Sequence, residues 1–370
     1  MFGNFFSKLK LYGNFPAVGI DISDRTIEAI ELRKKRGRFF VYAYNREEVF
    51  PGIVDNGHVK KVDEMVQLLK DLFETSKPNN FSSKSCVISV PDSQTFTCIL
   101  NFPQHISKKE LKNEVQKEAE KIIPFSFSDL YFDFRIIQKS RNGFEILFVA
   151  SKREIIDTII DIFSKAGLKI LAIDFESDCL ARSLISDHIA NGGIFLIDIG
   201  AKTTTISIFD QNGIRMTENI NQGGNYFDQQ IAKKLNVDLM EASRLKKELG
   251  FSADRKEGKI MFILQAAFLG ILEAVNKMNE YYKNNHGYYV KNGILAGGSS
   301  LIPGIYEYFN DNLNVAIKIV DPFKNIDIDD LHELSYDSII YSIALGLALR
   351  GLNNKFLLEG INLIKNNKNQ

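Results

Sequence analysis

Two apolar runs of the chain end at an aspartate and are each followed by a strand of alternating polarity. The first run is V-G-I-D, residues 18–21, and the second is I-F-L-I-D, residues 194–198. A buried run, a short turn and a second strand predict a β-hairpin with a carboxylate, Asp21 or Asp198, at its open end. Because the pattern occurs twice at long separation, the sequence predicts two related halves.

The residues after each aspartate offer groups that can hold phosphate oxygens. Backbone N–H groups of such a turn form anion sites, and Asp198 could lie beside a hydrated Mg²⁺. The other interpretation is an ordinary hairpin with glycine at a positive φ. Two hairpins closing on one nucleotide favour phosphate binding, and the candidate residues are Asp21, Ser23, Arg25, Thr26, Asp198, Gly200, Lys202 and Thr203.

A third glycine-containing motif runs from Gly293 to Gly304. A strand is predicted to end at Gly297-Gly298, where two glycines allow a ligand to approach the backbone closely. Pro303 suits the first turn of a helix that starts near it. Gly223-Gly224 opens another predicted helix, whose N-terminus could face phosphate.

The remaining periodicity predicts amphipathic helices and one small α+β unit. In that unit, Ser107 and Glu110 form a capping box, and Leu111, Val115, Ala119 and Ile122 lie one helical turn apart. Its two last strands form a predicted hairpin around Arg141-Asn142-Gly143. The other helices are expected at residues 63–73, 154–166, 238–249 and about 258–282.

Composition and charge exclude several classes of function. The 370 residues carry 46 Lys+Arg and 46 Asp+Glu, so the global charge gives no indication of nucleic-acid binding. The basic run Arg33–Arg38 is predicted to be a solvated turn. Three cysteines lack metal-ligand spacing. No run of about 20 apolar residues, as a membrane span needs, is apparent in the sequence.

The three motifs in this order resemble the actin-like ATPase superfamily. Within it, the chain resembles the type IV pilus assembly protein PilM family over nearly its whole length. The segments that carry this resemblance are K-E-A-E-K-I-I-P-F at 117–125, F-V-A-S-K-R-E-I-I-D at 148–157 and A-L-G-L-A-L-R-G-L at 344–352.

The resemblance implies an α/β fold: a two-lobed, actin-like fold (duplicated ribonuclease H-like) with an inserted small α+β subdomain. Subdomains are named 1A and 1C in the first lobe and 2A and 2B in the second. The expected boundaries are 1–83 for 1A, 84–165 for inserted 1C, 166–190 for the return to 1A, 191–235 for 2A, 236–289 for 2B, 290–335 for the return to 2A, 336–358 for a helix returning to the first lobe and 359–370 for a polar tail.

The resemblance also implies ATP and Mg²⁺ in the cleft between the lobes. Asp21 and Asp198 are expected to hold Mg²⁺ through water. Lys246 is expected near the adenine, and the remaining binding residues are Gly223, Gly224, Gly297, Gly298 and Ser299.

Three positions depart from the family pattern. Ser23 replaces a glycine, and serine tolerates positive φ poorly. Ser243 replaces a glutamate expected at the ribose, and Glu28 replaces a lysine. On a strand edge Glu28 would face solvent, whereas near phosphates it would repel them. No residue that activates water can be assigned by spacing, so we expect at most slow ATP hydrolysis.

The implied role is that of a cytoplasmic scaffold, peripheral to the inner face of the membrane through its partners. The expected partner is the N-terminal peptide of PilN, a protein of the pilus inner-membrane complex, docked at subdomain 1C or the adjoining cleft. Self-association into a ring or filament is also implied. The alternatives are an FtsA-like cell-division protein, a small-molecule kinase of the same superfold and a structural relative that has lost nucleotide.

Overall fold

The computed structural model describes most of the chain between residues 17 and 365. The described range leaves out residues 105, 108–109, 141–142, 186–191, 253–257, 329–333, 335–337 and 353–359. The turn predicted at Arg141-Asn142 therefore lies outside the described residues, although the strands on either side of it pair as predicted.

The first part of the chain forms most of a seven-stranded sheet. Its strands are rich in Val and Ile, and an amphipathic helix covers the sheet with Met65, Leu69 and Leu72 buried. The elements are β1 (Val18–Ile22), β2 (Thr26–Lys35), β3 (Arg38–Glu48), β4 (Val54–Asp55), β5 (His58–Val59), α1 (Val62–Glu74), β6 (Lys77–Pro78) and β7 (Ser85–Val90).

A small α+β unit follows, with its own sheet and core. Three antiparallel strands in the order β8-β10-β9 pack against one helix through Phe148, Val115 and Ala119. The elements are β8 (Thr95–Phe102), α2 (Leu111–Glu120), β9 (Leu130–Ser140) and β10 (Gly143–Lys152). Ser107 and Glu110 exchange the hydrogen bonds of the predicted capping box. Of the four apolar residues spaced one helical turn apart, Ile122 lies beyond the end of α2 at Glu120; its side chain is exposed, and Ile123 is buried instead.

The chain then returns to the first sheet through α3 (Arg153–Lys165), β11 (Lys169–Phe175) and α4 (Glu176–Leu184). Strands β11 and β7 both run parallel to β1, so their carboxyl ends lie at one edge of the sheet. Helix α3 packs against α1. Strand β7, at the start of the predicted inserted subdomain 84–165, pairs within the large sheet rather than with the small one. The exact boundaries of that subdomain remain a prediction.

The second half forms a five-stranded sheet in the order β14-β13-β12-β15-β16, covered by helices. Its elements are β12 (Ile194–Ile199), β13 (Thr204–Asp210), β14 (Gly213–Ile220), α5 (Gly224–Leu235), α6 (Leu239–Leu249), α7 (Lys259–His286), β15 (Asn292–Ala296), α8 (Ile305–Asn312) and β16 (Ala316–Ile319). The helix expected to start near Pro303 is present as α8, which begins at Ile305 after a 3₁₀ turn over Gly298–Leu301.

Helix α7 corrects the expectation that no segment is long enough to span a membrane. It has 28 residues and by length and composition alone could cross a bilayer. One side of it, including Leu264, Phe268 and Ile271, is buried in the core of the second half. Core helices of soluble proteins share this length and composition, so the helix by itself is not evidence for a membrane span.

The end of the chain packs back onto the first sheet. Strand β17 (Ile326–Asp327) joins β3, and α9 (Ser342–Leu352) lies against β1 and α4. Ile361 and Leu363 are buried in the first core. These two residues of the predicted polar tail therefore belong to the packed protein, whereas residues 366–370 lie outside the described chain.

The whole is a mixed α/β arrangement of two large sheets with an inserted small α+β unit. We call the part containing the seven-stranded sheet the first lobe and the part containing the five-stranded sheet the second lobe. The matching hairpins β1–β2 and β12–β13 lie in different lobes, as the internal repetition predicts.

Candidate functional site

A cavity of about 530 Å³ lies between the two lobes, where the two aspartate hairpins meet. Asp21 lies near the end of β1 and Asp198 near the end of β12. Strand β15 runs parallel to β12 and ends at Ala296, so the glycines that follow reach the same cavity. Of the fourteen residues predicted from the sequence, all except Gly223 line it. Gly223 packs beneath it, against the backbone of Gly200–Lys202.

The two glycines of the third motif shape the cavity in different ways. Gly297 has a φ of 79°, and a Cβ there would lie 2.3 Å from Asp198 Oδ1. A side chain at this position would therefore be strained and would displace the carboxylate. Gly298 has no atom within 4 Å of the position of a Cβ, so it borders open space. Its lack of a side chain keeps the cavity open.

Four carboxyl groups with a raised pKa line the cavity, Asp21, Glu28, Glu176 and Asp198, and a fifth, Asp92, lies next to Glu176. Burial raises the pKa of Asp198 to about 6 and that of Asp92 to about 7. Burial, together with the negative charges of Glu28 and Asp198, raises the pKa of Asp21 well above its ordinary range. Loss of hydration and mutual repulsion both disfavour the charged form. A cluster of this kind stabilises a bound cation.

Glu28 corrects one expectation from the sequence. It does not face solvent at a strand edge: the residue is 1% exposed and borders the cavity. Burial raises its pKa to about 7, although Arg46 lies 3.1 Å from its carboxylate and opposes the shift. When the Glu28 carboxyl group is ionised, it adds negative charge to the site.

Asp92 and Glu176 are site residues that the sequence reasoning missed. Asp92 follows β7 and accepts hydrogen bonds from Ser177 N at 3.0 Å and Ser177 Oγ at 2.5 Å. Glu176 follows β11 and accepts a hydrogen bond from the Asp92 backbone N–H at 3.2 Å. Burial, followed by the charges of Asp21, Asp92 and Asp198, raises the pKa of Glu176 well above its usual range. The available signal was an acidic residue directly after each apolar strand, at the edge where parallel strands end.

The predicted cations are paired with carboxylates and with groups of the opposite lobe. Lys202, in the second lobe, contacts the carboxylates of Asp24 at 3.3 Å and Asp55, both in the first lobe. Arg25, in the first lobe, contacts Asn225 and lies 3.6 Å from Asp228 of α5. These contacts cross the mouth of the cleft. An incoming phosphate must therefore share the cations with carboxylates that already hold them.

Lys246 occupies a buried position inside the second lobe. Its ammonium group lies 2.7 Å from Asp228 and donates to Gly224 O at 2.8 Å. Burial lowers its pKa, against the opposing effect of Asp228. It therefore fixes the start of α5 against α6 as well as bordering the cavity.

The residues of the cavity fit a divalent cation held through its water ligands better than one coordinated directly by several side chains. Among the residues that the structure describes, no three carboxylate, histidine or cysteine side chains are placed to hold a metal ion together. Mg²⁺ usually keeps several waters and binds through one or two carboxylates plus phosphate oxygens. Asp21 and Asp198 supply such carboxylates at the bottom of the cavity.

Comparison with known proteins gives one family match. The sequence model of the family described as "Type IV pilus assembly protein PilM" matches residues 19–352. Among curated proteins, the cell division protein FtsA of Streptococcus pneumoniae is 20% identical over 346 residues, covering 82% of this chain and 75% of that protein. FtsA of Bacillus subtilis is 24% identical over 193 residues, covering 47% of this chain and 44% of that protein.

Solved structures share the fold. The chain superposes on a PilM-PilN type IV pilus biogenesis complex with a TM-score of 0.79 and 20% identity, covering 92% of this chain and all of that one. MreB5 of Spiroplasma citri bound to AMPPNP gives a TM-score of 0.53 at 16% identity, covering 90% and 95%. EutJ of Carboxydothermus hydrogenoformans also gives 0.53 at 16% identity, covering 90% and 89%. The fold is therefore the two-lobed actin-like fold.

Proposed function

The chain belongs to the type IV pilus assembly protein PilM family, and from this we propose that it is an ATP-binding scaffold that docks the N-terminal peptide of a PilN-like protein. The observation that carries the proposal is the meeting of two aspartate hairpins and a Gly-Gly turn in one cavity between the lobes. A solved protein of the same fold, MreB5, carries AMPPNP. This supports the cavity as a nucleotide site.

The residues of the cavity divide into three groups by what they would hold. Asp21 and Asp198 would bind hydrated Mg²⁺, which neutralises phosphate charge when bound. The turn groups Ser23, Arg25, Thr26, Gly200, Lys202 and Thr203 would contact phosphate oxygens. Gly224, Lys246, Gly297, Gly298 and Ser299 would border the nucleoside.

We further propose slow turnover, so that the nucleotide acts by changing the population of closed and open clefts. The carboxylates of Glu176, which lines the cavity, and of the neighbouring Asp92 already accept hydrogen bonds within the protein. The phosphate-binding cations are shared with carboxylates across the cleft. A nucleotide that must first break these ion pairs is suited to switching the cleft between its open and closed states.

The surface that supports peptide docking lies on the small α+β unit. Ile122 and Phe125, in the segment that distinguishes the family, are 49% and 46% exposed. Large apolar side chains at the surface serve as anchors for extended peptides. A solved structure of the same fold is a complex of PilM with PilN. The peptide would bring the protein to the cytoplasmic face of the inner membrane, where rings or filaments of copies could form.

Calorimetric titration of a PilN N-terminal peptide, with and without ATP and Mg²⁺, tests this function. We expect saturable binding of one peptide per chain and a peptide affinity that differs between the two conditions. Absence of binding under both conditions would reject the scaffold role. An acceptor-dependent ATP consumption with candidate sugars would favour a kinase of the same fold instead.

A further inference from the structure

The tip of the β2–β3 hairpin concentrates positive charge, although the net charge of the whole chain is zero. Arg33, Lys34, Lys35, Arg36 and Arg38 carry five positive charges within six residues, whereas Lys+Arg equals Asp+Glu over the whole chain. From Arg33 to Tyr44 the sequence has no acidic residue. The tip is therefore a local concentration of positive charge, of which Glu31 of the same hairpin pairs only with Arg33.

The backbone holds these charges in a fixed arrangement. Arg36 and Gly37 have φ values of 50° and 85°, the positive-φ pair of a two-residue hairpin turn. Lys35 lies directly opposite Arg38 in the strand register. Like charges in directly opposed cross-strand positions are unfavourable. A bound anion would remove this repulsion.

Two of the five cations lie on aromatic rings. The Arg33 guanidinium lies 3.2 Å from the centre of the Tyr42 ring, and its Nε lies 3.3 Å from Glu31. Lys34 Nζ lies 5.3 Å from the centre of the Phe39 ring. Such contacts fix the side chains along the hairpin surface. The other three cations are thus the ones available to a ligand.

Those three cations border a cavity of about 640 Å³ at the hairpin tip. Its other lining residues are Phe40, Val41, Pro78 and a single carboxylate, Asp327. Within the described part of the chain, Lys35, Arg36 and Arg38 form no ion pair, and all three are exposed. The cavity therefore combines three unpaired cations with an apolar floor.

We propose that this hairpin tip binds the phosphate headgroups of anionic lipids, so that the protein contacts a membrane surface directly. Cations clustered at a projecting tip can each meet a different headgroup, and the apolar floor suits the glycerol and upper acyl region. An anionic leaflet attracts exposed cations in this way, with affinity that decreases as salt increases. The site does not depend on the nucleotide: β2 separates Lys35 from Thr26, at the nucleotide cavity, by about 30 Å.

The test is flotation of the full chain with vesicles of phosphatidylcholine, with and without phosphatidylglycerol. The variant is Lys35→Gln, Arg36→Gln and Arg38→Gln together. The control, Lys233→Gln, Lys234→Gln and Lys291→Gln, removes the same charge from exposed positions of the second lobe. We expect the wild type and the control to bind only vesicles with phosphatidylglycerol, and the hairpin variant to bind them about 100-fold more weakly.

Nucleotide titration of the same variant serves as a folding test, because the hairpin tip lies outside the cleft. Equal vesicle binding by the wild type and the hairpin variant would overturn the proposal, as would equal losses in the variant and the control. Inorganic phosphate and polyglutamate are the further probes. Hairpin-dependent binding of either, without binding to phosphatidylglycerol vesicles, would assign the site to a free phosphate or to an acidic protein and reject the membrane surface.

Discussion

At the scale of single residues, burial decides the charge of the cleft. Lost hydration is the first cause that raises the pKa of each of the five carboxyl groups in and beside the cavity, and for Asp21 and Glu176 the charges of neighbouring carboxylates come second. Asp178, also buried, shows the opposite case: Arg135 and Arg182 lower its pKa to about 2 despite burial. The difference lies in the partners, since Arg135 binds Asp178 with both guanidinium N–H groups at 2.6 and 3.0 Å.

The Glu28→Gln substitution tests this charge balance. Burial raises the pKa of Glu28 from 4.5 to about 7, so between these values the unfolded chain is ionised while the folded chain retains the proton. The free energy of unfolding therefore falls as pH rises through this window. We expect the variant to unfold at least about 2 °C higher than the wild type at pH 8 and to differ little at pH 4.

Thermal unfolding at pH 4, 6 and 8, without nucleotide, measures the effect. Glu154→Gln, at an exposed position of α3, removes the same charge outside the cavity and should change the midpoint by a similar, small amount at pH 6 and pH 8. A Glu28→Gln midpoint that stays below the wild-type value at pH 8 would show that the Arg46 pair outweighs the cost of burial.

The Asp55→Asn substitution tests whether Lys202, the cation of the β12–β13 hairpin, is shared between Asp55 and a bound phosphate. The Lys202 ammonium contacts Asp55, and this contact is the first cause of the lowered pKa of Asp55. Asp55 is exposed, and exposed ion pairs are weak because water screens them. We expect ATP affinity to increase about two- to fivefold, because Lys202 would no longer be divided between phosphate and carboxylate.

Asp161→Asn, which removes an exposed partner of Lys165 on α3, is the matched control. ATP titration by calorimetry compares the three proteins at one salt concentration. Unchanged or weaker ATP binding by Asp55→Asn would place the phosphates away from Lys202.

At the scale of elements, periodicity predicted the hairpins and most helices. Strands β1 and β12 are short, mostly buried runs with an aspartate next to their last residue, and α3 has its apolar residues on one face with Gly167 after its last turn. These features are local, so the sequence contains them. The burial of Glu28 and the approach of Asp92 and Glu176 depend on which strands become neighbours. The strand order β11-β7-β1-β2 brings these three carboxyl groups together. This order cannot be read from the sequence pattern of any single element.

The end of α2 places two apolar side chains at the surface and leads to a prediction. Because α2 ends at Glu120, Ile122 and Phe125 are exposed next to the buried Ile123. We expect Ile122→Ser with Phe125→Ser to weaken binding of a PilN N-terminal peptide at least about 10-fold while unfolding changes little, as central apolar anchors do.

The control for that pair is Leu239→Ser with Met240→Ser, two exposed apolar residues at the start of α6 in the second lobe. Peptide titration and thermal unfolding are measured on both. If the α6 pair weakens the peptide more than the α2 pair does, the docking surface belongs to the second lobe.

At the scale of the whole molecule, the small α+β unit is attached to both lobes. On one side Arg135 of β9 binds Asp178 of α4 in the first lobe. On the other, Arg215 of β14 in the second lobe contacts Glu145 of β10 and donates to Gln138 at 2.7 Å. Any change in the angle between the lobes must therefore move or break one of these attachments.

The Arg215→Gln substitution should reduce the coupling between nucleotide and peptide. The side chain is 5% exposed, so its partners lose a buried cation rather than a solvated one. Coupling between two sites typically changes an affinity about 5–150-fold. We expect the ratio of peptide affinities with and without ATP to approach one in the variant.

Arg244→Gln is the control, because Arg244 binds two carboxylates on the exposed face of α6. It should leave the affinity ratio at its wild-type value. A ratio that is equal in the wild type and Arg215→Gln would mean that the cleft communicates with the peptide by another route.

The central claim, a nucleotide held between the two lobes, is tested most directly at Gly298. A Cβ at this position meets open space, so Gly298→Val should fold while its methyl groups fill the cavity beside Gly297. Ala266→Val, at an exposed site on α7, adds the same two methyl groups elsewhere. In calorimetric titration with ATP and Mg²⁺, we predict wild-type affinity for Ala266→Val and no measurable binding for Gly298→Val. Equal ATP affinity in all three proteins would contradict the claim.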